Sequence, residues 1–272
     1  GAYEPGWGTL IQEAAVEIEA ARARGVDVAA DMYPYTAGGT GLEATIPSWA
    51  FDGGMDSVKA RIGRPEVRER MKGELVTGYE GWWNIVEAAG GWDGIVLVNA
   101  RNADNAHFEG MNITSIAEEW GKDPADAAWD LVAAGQGRVM AIYHMMSEDD
   151  VRWALQRPWT SIGSDAGAAL SPGNADVLGL PHPRSYGTFP RVLGKYVRDE
   201  RVLTLSEAVR KMTSWPATRM RLERRGVIRE GAWADITIFD LARVSDRATY
   251  DEPVLFPEGI EYVLVNGEVV IE

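Results

Sequence analysis

The chain has 272 residues, of which 46% are apolar, enough for a sizeable core arranged as one large domain or one plus a small one. Its 41 acidic residues outnumber 27 basic ones, and a net charge of −14 repels phosphate backbones and anionic lipid headgroups, so neither nucleic acid nor a membrane surface is expected as a partner. Cysteine is absent, which excludes disulfides and thiolates and leaves His, Asp or Glu to bind any metal.

No apolar run approaches the roughly 20 residues needed to cross a bilayer, and no charged start leads into the apolar stretch of a secretory signal. A soluble, cytoplasmic protein is the expectation. The sequence opens on Gly1 rather than Met, which implies processing, trimming or a fragment of something longer.

In chain order, TLIQEAAVEIEAARARG reads as an amphipathic helix with Thr9 as N-cap, Leu10, Ile11, Ala14, Ala15, Ile18 and Ala21 on one face, and Gly25 to end it. VDVAADMYPY has strand character, and Pro34 with TAGGTG then opens a Gly-rich loop, as at the mouth of a βα unit. From 41 to 136 the pattern is irregular and rich in Trp49, Trp82, Trp83, Trp92, Trp120 and Trp129, consistent with an inserted, mostly helical subdomain. Those rings either pack that subdomain or line a cleft, with packing the better-supported use. Two helices stand out there, Thr114 to Trp120 and the run after Asp123 as N-cap and Pro124 at its first position.

GRVMAIYHMM is a second strand, SEDDVRWALQ a helix with Ser147 and Asp150 at capping-box spacing, and WTSIG a third strand that leads to Asp165. Strand, helix, strand implies a βαβ unit and a partly parallel sheet. TLSEAVRKM, capped by Thr204 and Glu207, and SWPATRMRL, with Pro216 in its first turn, are further helices. Beyond about residue 226 short alternating strands suggest a small β subdomain, folded back at Asn266-Gly267 with a type I′ turn. The domain reading is therefore 1–40, 41–136 as the insert, 137–225 with the later strands and helices, and 226–272.

Chemistry in parallel α/β folds gathers where strands end, and Tyr33 and Asp165 both occupy such positions. On pattern alone Asp165 is either catalytic or a turn residue. His107, His144 and His182 form no His-x-His or His-x-x-x-His pair, so a self-contained zinc site has little support. His144, after VMAIY, either faces the same mouth as Asp165 or is a hydrogen-bonded packing residue. There is no nucleophile elbow, no phosphate-binding Gly-rich loop with its Lys, and no Cys nucleophile. Arg184, stiffened by Pro181, Pro183 and Pro190, suits bidentate capture of a carboxylate or an ordinary ion pair. Arg191, beside an apolar helix start, reads as structural.

Together DMYPYTAGGTGL, MSEDDV, IGSDAG, HPRSYGTFPRVLGKYVR, AVRKMTSWPATRM and GVIREGAWADITIFD resemble the N-acyl-D-amino-acid deacylase (D-aminoacylase) family of the amidohydrolase superfamily, in the right order along essentially the whole chain. That resemblance implies an α/β fold, the C-terminal part of a (β/α)8 barrel with an inserted lid and a small β-sandwich, and zinc-dependent hydrolysis of N-acyl-D-amino acids. It assigns proton transfer to Asp165, which also touches a metal, and substrate-carboxylate recognition to Arg184 and Tyr33; His144, from its place after VMAIY, stands beside them as a substrate-side candidate. The family's His-x-His, its metal-bridging residue and two further His ligands correspond to a part preceding Gly1. The loop AGAALSPGNADVLGL is longer here.

Three candidate barrel strands cannot close a barrel or hide their edges. An obligate complex with a chain carrying the N-terminal half is therefore expected, that partner holding most of the one or two zinc ions. The alternatives are a hydantoinase-like amide or cyclic-amide hydrolase, or a noncatalytic subunit.

Overall fold

The computed structural model describes residues 6–167 and 179–272. Most of AGAALSPGNADVLGL, residues 166–180, lies outside the described residues. In chain order the elements are α1 (Leu10–Ala23), β1 (Ala30–Met32), β2 (Ala37–Gly41), α2 (Met55–Ile62), α3 (Pro65–Thr77), α4 (Ile85–Ala88), β3 (Ile95–Asn99), α5 (Ile113–Trp120), α6 (Pro124–Ala134), β4 (Met140–His144), α7 (Glu148–Leu155), β5 (Thr160–Ile162), α8 (Arg184–Arg191), α9 (Leu205–Met212), α10 (Ser214–Arg219), β6 (Ile236–Phe239), β7 (Ile260–Val265) and β8 (Glu268–Ile271). Among the described residues no helix is long and apolar enough to cross a membrane.

The chain divides into two compact units. One, inner in sequence, is built on Thr36–Ser147 and includes His182; the other, flanking it in sequence, is built on Gly8–Tyr35, residues 148–167 and Pro183–Glu272. The inner unit is wider than the 41–136 stretch marked by composition, because TAGGTG is not an open loop. Its glycines form β2, which pairs antiparallel with β4 from Ala37↔His144 to Gly41↔Met140. Propensity alone disfavours Gly in a strand, but the ladder offered by β4 supplies the backbone hydrogen bonds.

Strand β4 is the centre of a three-stranded antiparallel sheet in the order β2-β4-β3. This corrects the βαβ expectation. Both edges of β4 are occupied by β2 and β3, so it cannot pair with β5 after α7; β5 pairs instead, in parallel, with β1.

Around this sheet Leu42, Ile62, Met71, Ile95, Leu97, Ile113, Ile116, Leu131 and Tyr143 close a core with the fully buried Trp129. Trp49, Trp92 and Trp120 pack on its margin, whereas Trp83 is exposed. Helix α6 starts where the sequence indicates: Asp123 Oδ1 accepts from Ala125 N at 2.9 Å, and Pro124 occupies the first turn, where no N–H is needed.

The flanking unit has a smaller core, Val151, Leu155, Ile162, Val192, Tyr196, Val197, Leu203 and Ala208. Thr204 caps α9 as expected, its Oγ1 accepting from Glu207 N at 3.2 Å, while the Glu207 carboxylate turns to Arg210 rather than completing the box. Helix α1 departs from its reading. Thr9 makes no side-chain cap, only Ala15 is buried, and Leu10 and Val16 stay exposed. The hairpin β7–β8 turns at Asn266 (φ 53°) and Gly267 (φ 88°), both left-handed as a type I′ turn requires. With β6 it makes a three-stranded antiparallel sheet.

Candidate active site

β1 and β5 run side by side with Ala30↔Thr160, Asp31↔Ser161 and Met32↔Ile162 in register, and Gly163 N donates to Met32 O at 3.0 Å. Their carboxyl ends therefore emerge together, and the next residues along each chain are the ones that sequence singled out. Tyr33 follows β1 directly, and Asp165 stands three residues past Ile162. Asp165 adopts φ +48°, in the left-handed region that Asp and Asn tolerate better than other side-chain-bearing residues, and this directs a carboxylate that is 71% exposed.

Helix α8 brings the third group. Pro183 precedes it and Arg184 is its first residue, nearly buried at 11% exposure. Arg184 Nη2 lies 3.1 Å from Asp165 Oδ2, and the guanidinium carbon sits 4.6 Å from the centroid of the Tyr33 ring. A cation over an aromatic face is held by the ring quadrupole, which orients the planar fork while leaving its in-plane N–H groups directed outward. Burial raises the Tyr33 phenol above its ordinary value; the Asp165 charge adds to this, and Arg184 opposes it. Tyr33 therefore keeps its proton through the physiological range and can donate a hydrogen bond.

The structure thus brings Asp165, Arg184 and Tyr33 together within the flanking unit. His144 is the last residue of β4 in the inner unit, exposed and paired across the ladder with Ala37. His182, next to Arg184 in sequence, is 7% exposed, and its Nε2–H donates to Ala37 O at 2.9 Å. His107 lies against Phe108, ring centroids 3.8 Å apart.

Near the site lies a second set of groups, of which the sequence named only Arg191, as structural. Arg191 and Asp246 are joined at 2.9 Å, and Arg191 Nε donates to Pro34 O at 2.9 Å. No local pattern links Arg191 to Asp246, which lies in an irregular stretch far downstream. Farther along the same chain segment, Glu148 Oε1 accepts from Lys195 Nζ at 2.7 Å and Tyr196 Oη at 2.6 Å. Burial alone would raise the Glu148 carboxyl, but those two donors hold it below the usual range. This anchors the π-helical turns Val192–Asp199 to α7.

Among the described residues no group of three or more His, Asp or Glu side chains could hold a metal ion. Asp165 alone offers one carboxylate, and its nearest charged neighbour is the cationic Arg184, which disfavours a second cation. These residues do not by themselves fit a metal centre.

Comparison with known proteins gives a consistent result. A family model described as "Amidohydrolase family" matches residues 107–271. N-acyl-D-glutamate deacylase of Alcaligenes xylosoxydans xylosoxydans is 37% identical over 250 residues, covering 92% of this chain and 40% of that protein. The crystal structure of N-acyl-D-glutamate deacylase from Bordetella bronchiseptica, complexed with zinc and a phosphonate mimic of the tetrahedral intermediate, superposes with a TM-score of 0.72 at 33% identity, over 98% of this chain and 44% of that one. A D-aminoacylase studied for its binuclear metal centre gives 0.70 at 32% identity, over 99% and 44%. The chain thus spans less than half the length of these relatives.

Proposed function

The chain belongs to the amidohydrolase family, and from that premise we propose that it carries the acid–base and substrate-gripping groups of an enzyme hydrolysing N-acyl-D-amino acids, completed by a chain equivalent to the N-terminal half. The observation that carries this reading is the convergence of Asp165, Arg184 and Tyr33 at the adjoining ends of two parallel strands. A guanidinium fork and a protonated phenol suit a free carboxylate, and a carboxylate beside them suits proton transfer.

In this reading the substrate's carboxylate enters the Arg184 fork and accepts the Tyr33 hydrogen bond. It competes there with Asp165, whose carboxylate is released to take the proton of the attacking water and hand it to the departing amine nitrogen. One group serves as base and then as acid. A contact of this kind acts at short range, where the repulsive field of a strongly acidic chain matters least.

The need for a complement is argued from β1 and β5. Among the described residues β1 and β5 pair only with each other, and two parallel strands do not by themselves make a stable sheet, since parallel sheets are covered on both faces and continued at their edges. The finer architecture proposed is the closing part of a (β/α)8 barrel, with the inner unit as inserted lid and β6–β8 as part of a β-sandwich. Zinc, one or two ions, would be anchored chiefly by the complementary chain, with Asp165 available as a shared ligand once the substrate's carboxylate has taken its place at Arg184, in a cytoplasmic setting.

Co-producing this chain with a complementary N-terminal half, and assaying N-acyl-D-amino acids against their L-enantiomers and against hydantoins, tests the proposal. Preferential turnover of the D-acyl compounds, lost in Asp165→Asn with the complex intact, is the expected result. Preference for hydantoins, or full activity of Asp165→Asn, would overturn it.

A further inference from the structure

The Arg184–Tyr33 pair is held from behind. Arg184 and Arg191 are the first and last residues of α8, seven positions apart, and two helical turns return them to the same side. Along that side runs Tyr33-Pro34-Tyr35. At one end the Arg184 guanidinium covers the Tyr33 ring at 4.6 Å. At the other, Arg191 Nε donates to Pro34 O at 2.9 Å, its Nη1 donates to Asp246 Oδ2 at 2.9 Å, and its guanidinium carbon lies 4.8 Å from the Tyr35 ring centroid. Between them Gly187 lets the helix approach closely, since a Cβ there would stand 2.4 Å from Tyr35 Oη and 3.1 Å from Asp246 Cβ. Tyr35 Oη in turn donates to Pro183 O, just before Arg184, at 3.4 Å. Three consecutive residues are thus fastened to the two ends of one helix.

We propose that Arg191, fixed by Asp246, is a positioning residue that sets the Tyr33-Pro34-Tyr35 segment in register with α8, and so sets the geometry of the Arg184–Tyr33 anion clamp. The clamp's service to a substrate carboxylate rests on the function proposed above; the positioning itself does not. Arg suits the site because the contacts to Pro34 O and Asp246 leave two different nitrogens of one planar group, and Lys, with all its donors on one atom and no planar face for Tyr35, would have to move to reach both. Side-chain exposures of 23% for Arg191 and 13% for Asp246 place the pair where solvent competes weakly.

Two measurements test this. In the chain assembled with its complementary half and with its own tyrosines labelled with ¹³C at Cζ, the resonance assigned to Tyr33 through Tyr33→Phe should move in Arg191→Lys and in Asp246→Ala, and move less in Asp246→Asn, while that of Tyr143 in the inner unit stays in place. An unmoved Tyr33 resonance would overturn the proposal, and a shift of both resonances would show general unfolding and also overturn it. In the assembled enzyme, Arg191→Lys should raise KM for an N-acyl-D-amino acid about tenfold while kcat changes by less than about twofold, leaving KM for the corresponding carboxamide nearly unchanged. A proportional fall in kcat for both compounds would overturn the link between Arg191 and the clamp. If Tyr33 moves in the first measurement but wild-type enzyme treats acid and carboxamide alike, the positioning stands and the substrate assignment falls.

Discussion

The two units treat their apolar residues differently. In the inner unit Leu42, Ile46, Ile62, Met71 and Trp129 are fully or almost fully buried around an antiparallel sheet whose central strand has both neighbours. In the flanking unit Ile228 is 87% exposed and Met220 70%, and Phe256, Val269, Val270 and Ile271 are more than half exposed. There a two-stranded parallel pair is the only sheet beneath the candidate site among the described residues. An antiparallel sheet with local connections can complete itself; a parallel pair cannot, because its neighbours must arrive by long crossovers. The difference teaches that the flanking unit, which holds the proposed site, is also the one that leaves more of its apolar surface in water.

The comparison can be broken most severely at Trp129. Truncation to Ala should cost about 3–5 kcal/mol in a denaturant titration, as for a large buried aromatic; a cost near zero would show that the inner core is not the self-sufficient one. Next comes Lys211, whose side chain is fully buried in the flanking unit, its Nζ donating to Thr160 O at 2.9 Å and to Arg157 O. Lys211→Met removes the side-chain donor from both carbonyls, of which Arg157 O keeps its bond from Thr160 N at 3.2 Å, and should cost about 1–3 kcal/mol.

Burial lowers the Lys211 ammonium to about 8. Between there and the unfolded value of about 10.4, the unfolded chain binds more protons than the folded one, so stability rises with pH in that window. Above roughly pH 10 the tyrosines Tyr33, Tyr35, Tyr143 and Tyr196, all raised first of all by burial, reverse the trend, because the unfolded chain then loses protons that the folded one keeps. Stability followed by urea titration should therefore peak on the alkaline side, and Lys211→Met should abolish the rise before the peak.

Smaller is the effect at Gly267, whose positive φ leaves an added Cβ strained although space is open. Gly267→Ala should cost about 1 kcal/mol by thermal melt. Smallest is Ile228→Asp, expected within about 0.5 kcal/mol for the lone chain because the side chain is already in water. With a complementary half present the same change should weaken association measurably by gel filtration. No change there would remove Ile228 from the proposed interface.

Much of this could be read along the chain. The α6 start follows from Asp123 and Pro124, the α9 start from Thr204, and the hairpin from Asn266-Gly267, since each is a local hydrogen-bonding or backbone requirement met by neighbouring residues. Asp165 and Tyr33 were marked as strand-end residues and Arg184 as a fork between prolines, and the structure sets all three together. What was misread shares one cause. TAGGTG has no strand propensity and became β2 because β4 was there to pair with it. The amphipathic pattern of α1 promised burial, but little in the flanking unit covers it. VMAIY and WTSIG looked like neighbours across a crossover, yet each found its partner elsewhere.

The sequence by itself determined the caps at Asp123 and Thr204, the Asn266-Gly267 turn and the acidic balance, because these depend on composition or on groups only a few bonds or one helical turn apart. Only the tertiary structure decided that β1 lies beside β5, that Arg184 faces Asp165, and that Arg191 reaches Pro34 and Asp246. Those pairings join residues far apart in the chain, and the free energy that selects them comes from burial and backbone pairing summed over whole elements, a quantity that no local pattern contains.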